Sequence, residues 1–323
     1  MKPQVVVVGS FVQDLVWRCA AFPKPGETII GTFTTGPGGK GSNQAVAAGR
    51  AGAPTLFIGA VGRDAFAAEA KAFYAAEGIA ACFVEKPKHA TGTAGILVNA
   101  SGQNEIIVAL GANAYLAKTD FDSKLLTDAK IVVTQLESNL ATTAFVLKTA
   151  RAAGVTTVLN PAPMRADFDP AILKHVDVLI PNEAEFTALV NLLPATGRKD
   201  FTETALSLLS NDDLHALCRT LGPAVVIVTL GKRGCLVSQA AGYTFIASYK
   251  VKAVDTTGAG DAFVGGFSAG LVKFKGDLAA AARFGTAVAA LSVTKRGTAP
   301  AMPRAKEIAA FLKKSAKSSA PKK

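Results

Sequence analysis

The sequence predicts an α/β fold: a three-layer, doubly wound, mostly parallel sheet with a small second β-sheet. Three observations lead there. Short β-rich runs alternate with alanine-rich runs of helical period. Two early segments break that alternation. Half of the 323 residues are hydrophobic, enough for one sizeable core.

Residues 5–9, 56–60, 131–135, 155–160, 178–181 and 225–230 are short and apolar. That is the pattern of parallel strands buried on both faces. Between them, 43–51, 65–77, 141–153, 183–192 and 203–221 read as helices. Strand, helix, strand repeated along a chain gives a sheet covered on both sides by crossover helices. The first interruption, 15–33, has no helical period and contains Pro23, Pro25 and Gly26. The second, 93–108, reads as a hairpin around a turn at 99–102. Both are assigned to the small sheet, as lid strands inserted at about 15–35 and 93–108, with ordinary antiparallel edge strands as the plainer alternative. One domain is expected over 1–312, followed by a basic, disordered tail over 313–323.

The net charge is +11, but Lys313, Lys314, Lys317, Lys322 and Lys323 crowd the last eleven residues. The remaining excess is scattered without interleaved aromatics. This argues against a nucleic-acid surface and still favours small anions such as nucleotides. No apolar run approaches the ~20 residues that span a bilayer. The run 5–8 is too short for the core of a signal peptide, so a cytoplasmic protein without a membrane partner is expected. Cys19, Cys82, Cys218 and Cys235 form no CxxC pair and read as reduced core thiols. The three histidines are too dispersed for a zinc site or a Ser-His-Asp triad.

Two glycine-rich motifs carry chemistry. In Asp255-Thr256-Thr257-Gly258-Ala259-Gly260-Asp261-Ala262-Phe263, small residues precede a helical run over 262–271. Gly258, Ala259 and Gly260 would present N–H groups at the positive end of the helix dipole, which suits an anion. Asp261 would stand beside that anion, able to take a proton from an attacking hydroxyl. The same residues could simply cap the helix. In Gly36-Pro37-Gly38-Gly39-Lys40-Gly41-Ser42-Asn43-Gln44-Ala45, the glycines allow a close turn into a helix. Lys40 and Asn43 would offer polar groups there to a polyhydroxylated ligand. The motif departs from the Walker phosphate loop because Gly41 follows Lys40.

In order and separation the two motifs resemble the signatures of the ribokinase-type (PfkB) carbohydrate kinases. So do 23–28, Gln135-Leu136-Glu137, Asn160-Pro161-Ala162-Pro163, 181–185 and 229–234. The resemblance runs from residue 5 to about 311. It implies ATP-dependent phosphorylation of a sugar hydroxyl, ribose to ribose 5-phosphate first. A nucleoside or another sugar is the alternative.

The resemblance also implies roles. Asp261 would be the catalytic base and Gly258, Ala259 and Gly260 the anion hole. Asp14, Gly39, Lys40, Asn43 and Glu137 would hold the sugar. Asn182 and Glu185 would lie near the phosphates and Mg²⁺, and Thr229, Gly231 and Gly234 would border the nucleotide. An activating K⁺ would sit with Asp255 and Thr257, and with Ser292, Lys295 and Gly297 largely through carbonyls. The small sheet would be the substrate lid and a homodimer interface. Several of these residues have plainer readings: Glu137, Asn182 and Glu185 as helix caps, Asp14 as a turn residue, Lys295 as a solvated charge.

Two departures matter. Val12 stands where these kinases usually carry an asparagine that contacts ribose, which puts the sugar in question. Ala301 replaces a serine often found near the cation site.

Overall fold

The computed structural model describes residues 2–318. Its elements in chain order are β1 (Val5–Val8), β2 (Val12–Arg18), β3 (Thr32–Gly38), α1 (Lys40–Arg50), β4 (Thr55–Val61), α2 (Ala65–Glu77), β5 (Ala80–Glu85), β6 (Gly92–Val98) and β7 (Asn104–Ala109). Then come α3 (Lys124–Thr127), β8 (Ile131–Thr134), α4 (Leu140–Ala152), β9 (Thr156–Leu159), β10 (Val178–Leu179), α5 (Glu183–Leu192), α6 (Glu203–Ser207) and α7 (Asn211–Arg219). The chain closes with β11 (Val225–Thr229), β12 (Gly234–Gln239), β13 (Gly242–Ala247), α8 (Ala259–Lys273), α9 (Leu278–Ser292) and α10 (Ala305–Ser318).

A nine-stranded sheet runs in the order β13-β12-β11-β10-β9-β8-β1-β4-β5. It is parallel from β11 to β5 and antiparallel at the β12–β13 edge. Alternation along each strand feeds two apolar layers. Val5 and Val7 pack with α1, α8 and α9, whereas Val6 and Val8 join Leu126, Val146 and Ala150 on the other face. Near the far end, Ile227 faces the first layer while Val226 and Val228 face α5 and α7. That is the three-layer arrangement the strand–helix alternation implied.

From β1 the chain moves to β4 and β5 on one side, and later to β8 and beyond on the other. The strand order therefore reverses between β1 and β8. Loops leaving strand C-terminal ends diverge there and open a crevice. Ser10, Glu137, Asn160, Asn182 and Thr229 all lie at or just beyond the ends of parallel strands on that side.

The second sheet has the order β3-β2-β6-β7, with β2 and β6 parallel and the outer pairs antiparallel. Val12, Asp14 and Val16 alternate onto one face of β2, where Val12 packs with Ala94 and Ile96. The opposite face exposes Trp17 and Phe33, whose rings sit 5.1 Å apart, together with Ile107.

The structure differs from expectation in several places. The first two strands of the small sheet span Val12–Arg18 and Thr32–Gly38, so Asp14 sits within a strand and not in a turn. The expected helix 203–221 breaks into α6 and α7, because the Ser210 hydroxyl accepts from Asp213 N and starts a new helix. The edge strands β5 and β13, the strand β12 beside β13, and the helix α9 had no counterpart in the reading of the sequence. The expected tail from 313 is helical through Ser318. In α10, Ile308 is buried, Leu312 packs on the core, and Phe311 meets the Tyr249 ring. Residues 319–323 of that expectation lie outside the described residues.

Candidate active site

The site is assembled where α1 and α8 start. Gly39 is the N-cap of α1 with φ 86°, a left-handed backbone that glycine adopts without strain. A side chain there would also collide with the β2 backbone, since a Cβ would lie 2.7 Å from Val12 N. Gly258, with φ 76°, does the same for α8. Ala259 N bonds Thr256 O at 3.2 Å. The N–H groups of Gly258 and Gly260 have no protein acceptor among the described residues. The positive end of α8 thus presents free donors.

Asp261 lies in the first turn of α8 and is 6% exposed. Its Oδ2 accepts from Asn43 Nδ2 at 2.9 Å and its Oδ1 from Gln44 Nε2 at 3.0 Å. Both donors come from α1. The two helices approach closely at Gly265, where a Cβ would fall 2.6 Å from that of Ala47. Asn43 Oδ1 is buried with no protein partner. A buried amide oxygen left open beside a carboxylate suits a ligand donor.

Glu137, just past β8, is held by the Ser10 hydroxyl at 2.7 Å and by Lys40 N at 2.9 Å, both donating to Oε2. Asp14 accepts from the Thr298 hydroxyl at 3.0 Å. Burial pushes the Asp14 carboxyl up to about 7, against the Thr298 donor and helped by the charges of Glu137 and Asp261. Burial would depress the Lys40 ammonium, but Asp261, Glu137 and Glu185 outweigh it and hold it above the usual lysine value. The site therefore gathers four carboxylates around one cation.

A pocket of about 150 Å³ opens beside Asp261. Lys40, Asn160, Asn182, Glu185, Thr229, Thr256, Gly258, Ala259 and Gly260 line it. Asn182 and Glu185 form a full capping box at the start of α5, so the capping reading of this pair is correct as far as it goes. Both also face the pocket. Burial raises the Glu185 carboxyl, opposed by the Asn182 N–H and the Lys40 charge. Gly231 and Gly234 flank a short turn after β11. Gly234 is tight against the backbone at the end of β13 and just beyond it, with a Cβ at 2.9 Å from Ala247 C and 2.7 Å from Ser248 N, and that contact together with its φ of 117° accounts for the glycine.

Asp255 Oδ1 accepts from Thr257 N at 3.0 Å and Oδ2 from Gly297 N at 3.1 Å. Burial would raise this carboxyl, but those donors hold it below the usual range. The Lys295 ammonium turns away to Glu307 at 2.6 Å, and the Ser292 hydroxyl donates to Ala289 O at 2.9 Å. Of these two residues the Lys295 ammonium cannot serve a cation beside Asp255, which leaves the carbonyls and the lone pairs of the Ser292 hydroxyl.

The site contains residues that the reading of the sequence did not single out: Ser10, Gln44, Asn160, Thr256 and Thr298. Gln44, Asn160 and Thr256 lay inside the motifs named above, so their positions were visible but their partners were not. Among the described residues no group of three or more His, Cys, Asp or Glu side chains could hold a metal. No helix among them is long and apolar enough to cross a membrane.

A buried carboxylate at the positive end of a helix dipole, on a doubly wound sheet with a second sheet alongside, suits a small-molecule kinase. Comparison with known proteins gives the family. The model described as "pfkB family carbohydrate kinase" matches residues 2–305, and the chain belongs to that family. It is 34% identical over 315 residues to a deoxyribokinase of Salmonella typhi, covering 95% of this chain and 98% of that one. The solved ribokinase of Giardia lamblia superposes with a TM-score of 0.87 at 34% identity, covering 98% of this chain and 100% of that one. The ribokinase of Arabidopsis thaliana, solved with ribose and ATP, gives 0.81 at 31% identity over 97% and 99% of the two chains. The protein is a carbohydrate kinase.

Proposed function

We propose that this kinase transfers the γ-phosphoryl group of ATP to a hydroxyl of ribose, with Asp261 as the base. One observation carries the proposal. Asp261 is buried, and Asn43 and Gln44 fix its two oxygens beside the free N–H donors of α8. Each carboxylate oxygen keeps a lone pair for a substrate hydroxyl. The Arabidopsis relative, solved with ribose and ATP, supports both substrates.

In this reading the sugar lies between Asp14 on β2, Gly39, Lys40 and Asn43 at the start of α1, and Glu137. Carboxylates and amides there accept and donate to its hydroxyls. The nucleotide phosphates occupy the pocket lined by Asn182, Glu185 and Thr229, with Gly231 nearby. Gly258, Ala259 and Gly260 form the anion hole, with Gly258 and Gly260 as its free donors. Asp261 orients the attacking hydroxyl and takes its proton, while Lys40 balances the local negative charge. Mg²⁺ would neutralise phosphate charge. One buried carboxylate, Glu185, fits an ion that keeps water and phosphate oxygens as its other ligands. An ionised Asp255 beside the carbonyls of 292–297 fits K⁺. The small sheet acts as the lid. Its outer face, with Trp17, Phe33 and Ile107 exposed, suits a homodimer contact in a cytoplasmic enzyme.

A second reading concerns the sugar. Val12 sits two residues from Asp14 on the same face of β2, in an apolar cluster. A substrate lacking one hydroxyl, such as 2-deoxyribose, would leave nothing unpaired there. ADP release with ribose, deoxyribose, fructose, adenosine and inosine decides between them. The highest kcat/KM on ribose supports the first reading. The highest on deoxyribose supports the second, and no turnover on any pentose rejects both.

A further inference from the structure

Asp261 is held from behind by a chain of amides. Gln44 is fully buried. Its Nε2 donates to Asp261 Oδ1 at 3.0 Å and to Asn160 Oδ1 at 3.0 Å, and its Oε1 accepts from Gln135 Nε2 at 2.6 Å. Every hydrogen-bonding group of that side chain is engaged. The amide can take only one orientation, because an ionised carboxylate accepts and never donates. Asn160 in turn donates to Ile180 O at 2.9 Å and reaches Glu185 Oε2 at 3.4 Å. Two amides therefore bridge Asp261 to Glu185, the carboxylate at the start of α5.

We infer that Gln44 is a positioning residue for the base, setting the Asp261 carboxylate at a fixed angle to the nucleotide pocket through the Gln44–Asn160 bridge. The inference rests on the assignment of Asp261 as base. An amide suits the task because it does not titrate. A carboxylate at position 44 would repel Asp261, and an ammonium would form an ion pair with it. Asn43 holds the other oxygen, but its own Oδ1 is open, so it can shift with the ligand. Gln44 has no open group and cannot. The pair thus divides into one donor that faces the substrate and one that anchors the base. Rotating a carboxylate away from the hydroxyl it must deprotonate slows the chemical step and leaves substrate binding intact.

The test is a double-mutant cycle with Gln44→Met and Asp261→Asn. Turnover is read under single-turnover conditions, with binding of sugar and of ATP measured by calorimetry. Gln44→Met is expected to lower the rate by about ten- to a hundred-fold, the loss of one hydrogen bond to a charged group. Both dissociation constants should stay within about twofold. In the Asp261→Asn background the same substitution should cost almost nothing further, because there is no longer a base to orient. An equal loss in both backgrounds, or an unchanged rate in the single variant, overturns the inference. Should Gln44→Met fail to fold, Gln135→Met removes the outer donor and takes its place in the cycle. A smaller loss of about three- to tenfold that vanishes with Asp261→Asn is then expected. An unchanged rate, or a loss that persists in that background, overturns the inference. Near-normal turnover by Asp261→Asn alone would instead reject the base assignment.

Discussion

The Thr298 hydroxyl donates to Asp14 Oδ2 at 3.0 Å, joining the segment after α9 to the middle of β2. The same oxygen lies 3.1 Å from Pro37 O, but one proton serves one acceptor, and the carboxylate is the stronger. Gly297, the preceding residue, donates to Asp255 at 3.1 Å. Two adjacent residues therefore contact the proposed sugar carboxylate and the proposed cation carboxylate.

Removing that hydroxyl should loosen the sugar and leave the chemistry. Thr298→Val is expected to raise the KM for sugar roughly three- to tenfold, with kcat within about twofold, less than a whole hydrogen bond to a charged group because Asp14 itself stays to meet the sugar. Thr298→Ser should restore the KM. Steady-state kinetics on all three proteins checks it, and a fall confined to kcat would contradict the placement of Asp14 beside the sugar.

Asp14 should also make stability depend on pH. Its carboxyl titrates near 3.8 in the unfolded chain and at about 7 when folded. The folded state thus holds the proton more tightly. Below about pH 4 that advantage is complete, and it is lost as pH rises through about 7. Asp14→Asn carries no such charge. Its Tm relative to the parent should therefore be higher at pH 8 than at pH 4, while sugar binding at pH 8 is weaker. A Tm difference that does not change with pH would mean that Asp14 is well solvated.

At the α1–α8 contact the limit is space. A Cβ on Gly265 would meet the Ala47 Cβ at 2.6 Å and Ala48 N at 3.0 Å. Gly265→Ala should force the helices apart at a cost of about 1–3 kcal/mol. Because Asn43 and Gln44 reach across this seam to Asp261, kcat should fall with Tm. Chemical denaturation and turnover measured together check the coupling. Full activity in a destabilised variant would show that the seam is structural only.

Asp255 gives a cation test. With K⁺ present the rate should exceed that in a tetramethylammonium buffer, and Asp255→Ala should abolish the difference. The variant also leaves Thr257 N and Gly297 N without their acceptor, so stability should drop by about 1–3 kcal/mol in either buffer. Equal rates of the parent in both salts would remove the cation from the reading.

The central strands were legible because each is buried on both faces, which writes a continuous apolar run such as Val5-Val6-Val7-Val8. The strand β13 was not, because only Ile246 of it is buried and its pattern resembles a surface loop. The break between α6 and α7 was hidden because Leu206 and Leu214 continue one apolar stripe across it. Asp261 and Asn43 were legible because local motifs carry them. The bond from Gln44 to Asp261 spans 217 positions and that from Thr298 to Asp14 spans 284. Residue spacing says nothing about such pairs. Only the meeting of α1 with α8, and of β2 with the segment after α9, brings them together.

Asp261 stands on a helix of the large sheet, whereas Val12 and Asp14 stand on the small one. In the proposed arrangement the sugar therefore bridges two modules: Asp14 reaches it from the small sheet, and Gly39, Lys40, Asn43 and Glu137 reach it from the large one. In that arrangement a substitution on β2 or β6 would reshape one wall of the sugar site while Asn43 and Gln44, on α1, keep their bonds to Asp261. Such a division would let one phosphorylating machine be refitted to new acceptors through a few residues of a four-stranded insert.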